Sequence, residues 1–288
     1  VVTRISDVAF IKGHATQNDF VILPDFEGRL DVTAERVQWL CDRRRGIGAD
    51  GVLRVVRCAN DLEFASYSDV AEFFMDYRNA DGSIAEMCGN GARLFVRYLH
   101  ATGALSSRTT VVATRGGLIE AEVRGHEAEE IAIGMGAVTA EGSPIPITAR
   151  LGERSWDAMS IHVPNPHAVA FVESLDTDVV SLDVPPLVTP AEAFPDGVNV
   201  EFVERVGAGH VRMRVYERGV GETRSCGTGA CAAAWAAAIT DPLDTCDSYR
   251  VDIPGGTVWV DIESDGRLTL RGPAELVARG TLQWPRGL

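Results

Sequence analysis

Lysine is all but missing from this chain. Of 27 basic residues only Lys12 is a lysine; the rest are arginine. Pyridoxal phosphate enzymes hold their cofactor through a lysine Schiff base, so that chemistry is not expected, and no other cofactor is called for. Long apolar runs are missing too, since none approaches the roughly 20 residues that span a bilayer. The amino-terminal stretch VVTRISDVAFIKGHATQNDF lacks the basic, apolar and small-residue sections of a signal peptide. Positive charge is short, with 41 acidic residues leaving a net charge of −14. Such a surface repels phosphate backbones and anionic lipid. The expectation is a soluble, cytoplasmic protein with no nucleic-acid or membrane partner. Cysteine is sparse as well, and six in 288 residues do not make a disulfide scaffold. No C-x-x-C occurs, and the close pair Cys226 and Cys231 lacks the further ligands zinc requires, so no metal site is expected.

What the chain does have is a repeat. MCGNGARLFVRYL, from Met87 to Leu99, resembles SCGTGACAAAWAA, from Ser225 to Ala237. Both contain C-G-x-G-A, and the cysteines stand 138 positions apart. YRNADG at Tyr77 and YERGVG at Tyr216 are 139 apart, as are the glycine pairs Gly116-Gly117 and Gly255-Gly256. ADGVLRV around Asp50 echoes PDGVNVEFV around Asp196, 146 positions on. Matches in one order at a near-constant offset imply two homologous halves. Their joint falls near GMGAVTAEGSPIP, Gly134 to Pro146.

Each half carries the same local pattern. TTVVATRGGLIEAEV and YRVDIPGGTVWVDIE are β-branched runs broken by turn dipeptides, which read as hairpins, and DGRLTL at Asp265 adds a further strand. After each C-G-x-G-A comes a helix, and the one from Gly227 to Ile239 carries no charge. A short helix apolar on every side must be enclosed on every side. GIGADG, Gly46 to Gly51, spells G-x-G-x-x-G but follows a helical stretch rather than a strand, so it fails the context of a dinucleotide site. Gly46 reads as a helix stop. The expected fold is α+β: two pseudo-symmetric lobes, each a curved mixed or antiparallel sheet around a central helix, with the active site in the cleft between them. Lobe one spans 1–136 and carries Cys88; lobe two spans 137–276 and carries Cys226. A C-terminal strand within 277–288 is expected to return to the first lobe.

A helix starting just after a cysteine brings two effects together. The first amides, on Gly89 and Asn90 or on Gly227 and Thr228, have no partner within the helix and make an anion site with the positive end of its dipole. The same field lowers a thiol pKa from about 8.5 toward neutrality. Two such mouths, facing one α-carbon from opposite sides, suit inversion: one thiolate removes the proton and the other thiol delivers one. The charge that develops on the carboxylate meets both sets of amides.

NADGSIAEMCGNGAR (Asn79 to Arg93) and ERGVGETRSCGTGACA (Glu217 to Ala232) resemble the two signature segments of the diaminopimelate epimerase family. NDF at Asn18, GIGADG at Gly46, NPH at Asn165 and GVNVEFV at Gly197 follow in the family's order. Gln17 departs from it, standing where a glycine is usual before N-D-F. The resemblance implies interconversion of L,L- and meso-diaminopimelate in lysine and peptidoglycan biosynthesis, with Cys88 and Cys226 as the acid–base pair. It implies Asn18, Asn79, Asn165, Asn199, Glu217 and Arg218 as the groups that hold the ligand's amino groups and distal carboxylate. His167 and Glu217 are implied as tuners of the thiols, and the working form as a homodimer. Two alternatives stand beside this: a related two-lobed isomerase of the proline-racemase or phenazine-biosynthesis kind, and a thiol redox or metal-binding protein.

Overall fold

The computed structural model describes residues 7–126, 129–138, 147–241, 246–285 and 287–288. The first six residues, and the expected joint from position 139 to 146, lie outside the described residues. The chain divides into two compact units, Val1–Ile133 with Pro273–Leu288, and Gly134–Gly272.

The first run of elements is β1 (Val8–Ala15), β2 (Asn18–Pro24), α1 (Ala34–Cys41), β3 (Gly51–Arg57) and β4 (Phe73–Asn79). After these come α2 (Gly89–Ala101), β5 (Thr109–Thr114), β6 (Gly117–Arg124) and β7 (Glu130–Ala137). The second run opens with β8 (Ile147–Leu151), β9 (Arg154–Val163), β10 (Asn165–Phe171), β11 (Leu187–Thr189), β12 (Asn199–Gly207) and β13 (His210–Glu217). It continues through β14 (Gly221–Thr223), α3 (Gly227–Thr240), β15 (Ser248–Ile253), β16 (Gly256–Ile262) and β17 (Arg267–Gly272), and β18 (Glu275–Leu282) closes the chain.

The two units repeat one set of pairings. In the first, β1 runs antiparallel to β2, β2 parallel to β3, β3 antiparallel to β4, β4 parallel to β5, and β5 antiparallel to β6. In the second, β9, β10, β12, β13, β15 and β16 repeat that order and those directions. The sheets are mixed, as expected. Even the closing strands match: β18 pairs with β1, and β8 pairs with β9, so the strand that follows each run completes the other.

Each sheet wraps a helix. α2 packs against β1, β2, β3, β4, β6 and β18, while α3 packs against β9, β10, β12, β13, β15, β16 and β17. The alanines of α3 explain its fit. Ala230, Ala232, Ala233, Ala234, Ala236 and Ala237 are all fully buried, with no side-chain bulk to hold the strands away. The hairpins read from the two glycine pairs form as expected, as does the strand from Arg267.

The helix before GIGADG ends sooner than its sequence suggests. α1 stops at Cys41, because the Asp42 carboxylate accepts the amides of Arg44 and Arg45 at 2.9 Å each and bends the chain into a turn. Gly46 is required for a different reason: a Cβ there would stand 1.9 Å from the Trp39 carbonyl oxygen. The letters also mislead at Tyr77. Strand register puts Tyr77 opposite Leu53 and Val215 opposite Glu201, so Tyr77 corresponds to Val215 and not to Tyr216. In a strand one step exchanges faces. Among the described residues no helix is long and apolar enough to cross a membrane.

Candidate active site

Both C-G-x-G-A cysteines occupy the N-cap of a helix. Cys88 and Cys226 are extended, and their sulfurs accept the amides of Gly91 at 3.4 Å and Gly229 at 3.3 Å. A thiol here takes the place of the usual Ser or Asp oxygen. Gly89 and Asn90 open α2, and Gly227 and Thr228 open α3, so these amides lie beside the sulfurs in the first turn, where the helix itself supplies no acceptor.

The glycine-pair turns hold these segments. Gly116 donates its amide to the carbonyl of Glu86 at 3.0 Å, and Gly255 donates to that of Arg224 at 2.8 Å. Each accepting residue lies two positions before its cysteine. The repeated glycine pair and the repeated cysteine therefore form one local device, made twice.

In the first unit the polar groups form a chain. The Cys88 thiol donates to Asn18 Oδ1 at 3.8 Å, which also accepts from Asn90 Nδ2 at 3.1 Å. Asn18 Nδ2 donates to Asp50 at 2.9 Å. Asn90 Oδ1 in turn accepts from Arg93 at 2.5 Å, and Arg93, fully buried, also donates to Thr16 Oγ1 at 3.1 Å. Around Asp50 lie Arg43, which bonds Asp19 at 2.7 Å and Asp50 at 2.8 Å, and Lys12, which bonds Asp19 at 2.5 Å and the Gly48 carbonyl. Burial raises the Asp19 pKa, but Arg43 and Lys12 outweigh it and hold the carboxyl well below the usual range. The hydrogen bonds of Asn79 run elsewhere: it accepts from Tyr77 at 2.8 Å and donates to Ser83 Oγ at 3.0 Å.

In the second unit Asn165 opens β10, and its Oδ1 lies 2.9 Å from His167 Nε2. His167 Nδ1 lies 2.7 Å from Glu201 Oε1, and both residues are fully buried. Asn199 opens β12 and accepts the Arg218 amide at 2.9 Å, while Arg218 Nη1 donates to the Asp196 carbonyl at 2.8 Å. Glu217 accepts from the Thr223 hydroxyl, and the Cys226 sulfur lies 3.5 Å from Thr228 Oγ1. The structure thus joins Asn18 and Asn90 to Cys88, Thr228 to Cys226, Asn165 to His167, and Asn199 to Arg218.

The thiol at Cys226 differs from the expectation of an acidic one. Burial pushes its pKa well above the ordinary value, and the Glu217 and Glu201 carboxylates push it the same way. The Thr228 hydroxyl and Gly229 amide act in the opposite sense and do not win. A helix start carries only about half a unit charge, too little against desolvation and two carboxylates. Glu201 itself was not singled out in the sequence. The repeat read from the letters did not show it, since the match of Asp50 with Asp196 sets Glu201 against Val55, whereas strand register sets it at the position of Leu53.

Among the described residues no three His, Cys, Asp or Glu side chains gather as a metal ion would need. What each unit offers instead is a capped thiol beside the first-turn amides of a helix, and in the first unit the Asn18 and Asn90 carboxamides lie next to that thiol.

The sequence profile described as Diaminopimelate epimerase matches residues 10–141 and 159–277. The diaminopimelate epimerase of Streptomyces coelicolor is 49% identical over 288 residues, covering 98% of this chain and 98% of that one. That of Corynebacterium glutamicum is 43% identical over 279 residues, covering 96% and 98%. Among solved structures, a Bacillus anthracis phenazine biosynthesis protein of the PhzF family superposes with a TM-score of 0.70 at 16% identity, over 97% of this chain and 100% of that one. A hydroxyproline epimerase from Agrobacterium vitis gives 0.62 at 16%, over 96% and 92%. At those identities the structural likeness speaks for the fold alone.

Proposed function

The chain belongs to the diaminopimelate epimerase family, and we propose that it interconverts L,L- and meso-diaminopimelate by proton transfer at one α-carbon between Cys88 and Cys226. The observation that carries this reading is the matched capping: each thiol sits at a helix start, within reach of amides with no helical partner. One cysteine, as thiolate, takes the α-proton; the other, as thiol, delivers a proton to the opposite face. The C–H bond on one side breaks as the bond on the other forms, and the electron pair is held meanwhile by the carboxylate. Amides of Gly89, Asn90, Gly227 and Thr228 stabilise that carboxylate as its charge grows, and need no reorganisation to do so.

The other groups orient the substrate. Asn18, Asn79, Asn165, Asn199 and Glu217 receive its amino groups, and Arg218 grips the distal carboxylate in the two-pronged way a guanidinium allows. The Arg218 amide and one of its guanidinium nitrogens are already fixed, to Asn199 and to the Asp196 carbonyl. His167 and Glu217 tune the thiols. The chemistry runs without pyridoxal phosphate, in keeping with a single lysine whose amine is bound to Asp19 and the Gly48 carbonyl. The reading includes a homodimer in the cytoplasm that binds a small molecule and neither nucleic acid nor membrane. The net charge of −14 supports the last point.

Reduced protein incubated with L,L-diaminopimelate, without pyridoxal phosphate, is expected to yield the meso isomer by chiral chromatography. Cys88→Ala and Cys226→Ala should each lower turnover by about 10²–10⁴-fold, the usual worth of a general acid or base. Full turnover in either variant would overturn the proposal.

A further inference from the structure

The two helix mouths are built alike but do not rest on the same floor. Phe20 pairs with Gly51 across the parallel strands β2 and β3, and Leu53 follows two positions on. His167 pairs with Asn199 across β10 and β12, and Glu201 follows two positions on. Phe20 and Leu53 therefore correspond to His167 and Glu201. All four are fully buried. Under α2, a Cβ placed on Gly91 would meet Leu53 Cδ2 at 3.2 Å and Phe20 at 3.6 Å. Under α3, a Cβ on Gly229 would meet Glu201 Oε1 at 2.7 Å and the Cys226 sulfur at 3.3 Å. One thiol thus stands above two hydrocarbon side chains, and the other above a carboxylate and an imidazole.

We propose that Glu201 is a positioning residue for Cys226: paired with His167 beneath the second glycine of the motif, it makes the two matched thiols chemically unequal. The proposal rests on Cys226 being one of the two reacting thiols. Three features support it. The carboxylate lies against the turn whose Gly229 amide bonds the Cys226 sulfur. Glu201 Oε2 is buried with no hydrogen-bond partner among the described residues, so its charge is incompletely satisfied and its field reaches nearby groups. Both His167 nitrogens face oxygens, of Glu201 and of Asn165, so the imidazole is fixed between the carboxylate and a residue proposed to touch substrate.

The charged groups acting on the Cys226 sulfur are Glu217, from β13, and Glu201, from β12, with His167 of β10 held by Glu201. Both carboxylates, like burial itself, favour the protonated sulfur. Cys226 is therefore the thiol that starts as the acid.

Alkylation tests this without reference to turnover, so its outcome is distinct from whether the chain epimerises diaminopimelate. Native wild type and Glu201→Gln are treated with iodoacetamide across pH, and each cysteine is followed by peptide mass spectrometry. Glutamine keeps the size and a hydrogen-bonding oxygen but removes the charge. In Glu201→Gln the Cys226 profile should move down by about one pH unit or more, labelling it about tenfold faster at low pH, because the thiolate is the form that reacts. Cys88 should be unmoved, and the interior Cys41 and Cys231 should remain unlabelled. No movement of Cys226, or equal acceleration of all four cysteines, would overturn the proposal. Should the variant not fold, wild type decides alone: a Cys226 midpoint above that of Cys88 sustains the inequality, and coincident midpoints refute it.

Discussion

Adding one methyl group at each of two matched glycines should have unequal consequences. Gly91→Ala and Gly229→Ala place a Cβ at the third residue of α2 and of α3, in equivalent C-G-x-G-A segments. At Gly91 the closest atom is the end of the Leu53 side chain, at 3.2 Å, which can turn aside by a few tenths of an ångström. The helix gains about 0.5–1 kcal/mol from alanine in place of glycine, so the net change should be near zero. At Gly229 the closest atom is Glu201 Oε1, at 2.7 Å, nearer than real side chains stand. That oxygen cannot move freely, because it lies 2.7 Å from His167 Nδ1 in a fully buried pair. Overpacking costs about 1–3 kcal/mol, and weakening a hydrogen bond to a charged group adds up to about 1.5–3 kcal/mol. Less the helix gain, Gly229→Ala should lose about 1.5–5.5 kcal/mol where the hydrogen bond is lost as well. Urea unfolding followed by circular dichroism measures both variants. Equal destabilisation, or a neutral Gly229→Ala, would show that Glu201 is not held where the structure places it.

Asp19 should stabilise the fold above the usual carboxylate range, since its folded pKa is depressed, and that contribution should fade as pH falls through about 4 toward the lower folded value. Asp19→Asn is thus expected to destabilise at pH 7 and progressively less in acid; a pH-independent difference would contradict the ion-pair account. Burial pushes the Cys41 thiol up to about 12 and the Cys58 thiol up to about 11. Neither should react with iodoacetamide at pH 8 in the native protein, and both should react in urea; native labelling would contradict the packing. Gln17 has φ of +64°, a left-handed conformation that β-branched residues tolerate worst. Gln17→Val should lower the urea midpoint, and an unchanged midpoint would deny that backbone geometry.

Much of this was legible because the physics is local. A cysteine followed by small residues and an apolar run reads as a helix start, and both cysteines cap helices. Glycine pairs between β-branched runs read as hairpins, and both form. An uncharged alanine-rich helix demands enclosure, and seven strands pack on α3. Gln17 shows how the usual glycine was informative: the turn wants a positive φ, and glutamine adopts it.

The remainder depended on groups distant in sequence. The acidity of Cys226 could not be read from its own helix, since Glu217 and Glu201 act on it from two other strands. Glu201 was hidden because β12 is buried on both faces over its first five residues, so polar and apolar positions do not alternate. The early end of α1 came from one side chain, Asp42, competing for backbone amides. Only strand register revealed that Phe20 and Leu53 stand where His167 and Glu201 stand in the other run.

The central claim is that two thiols work on opposite faces of one carbon, and isotope partition at early times tests it most directly. L,L-Diaminopimelate is incubated with the reduced protein in D₂O, and substrate and product are separated before appreciable reversal. Two-thiol transfer predicts meso product carrying deuterium at the inverted carbon, while recovered L,L substrate remains largely unlabelled, because each face is served by its own sulfur. Meso product that retains its original proton at that carbon would mean one group carries the proton across both faces, and would contradict the assignment of Cys88 and Cys226 as a pair.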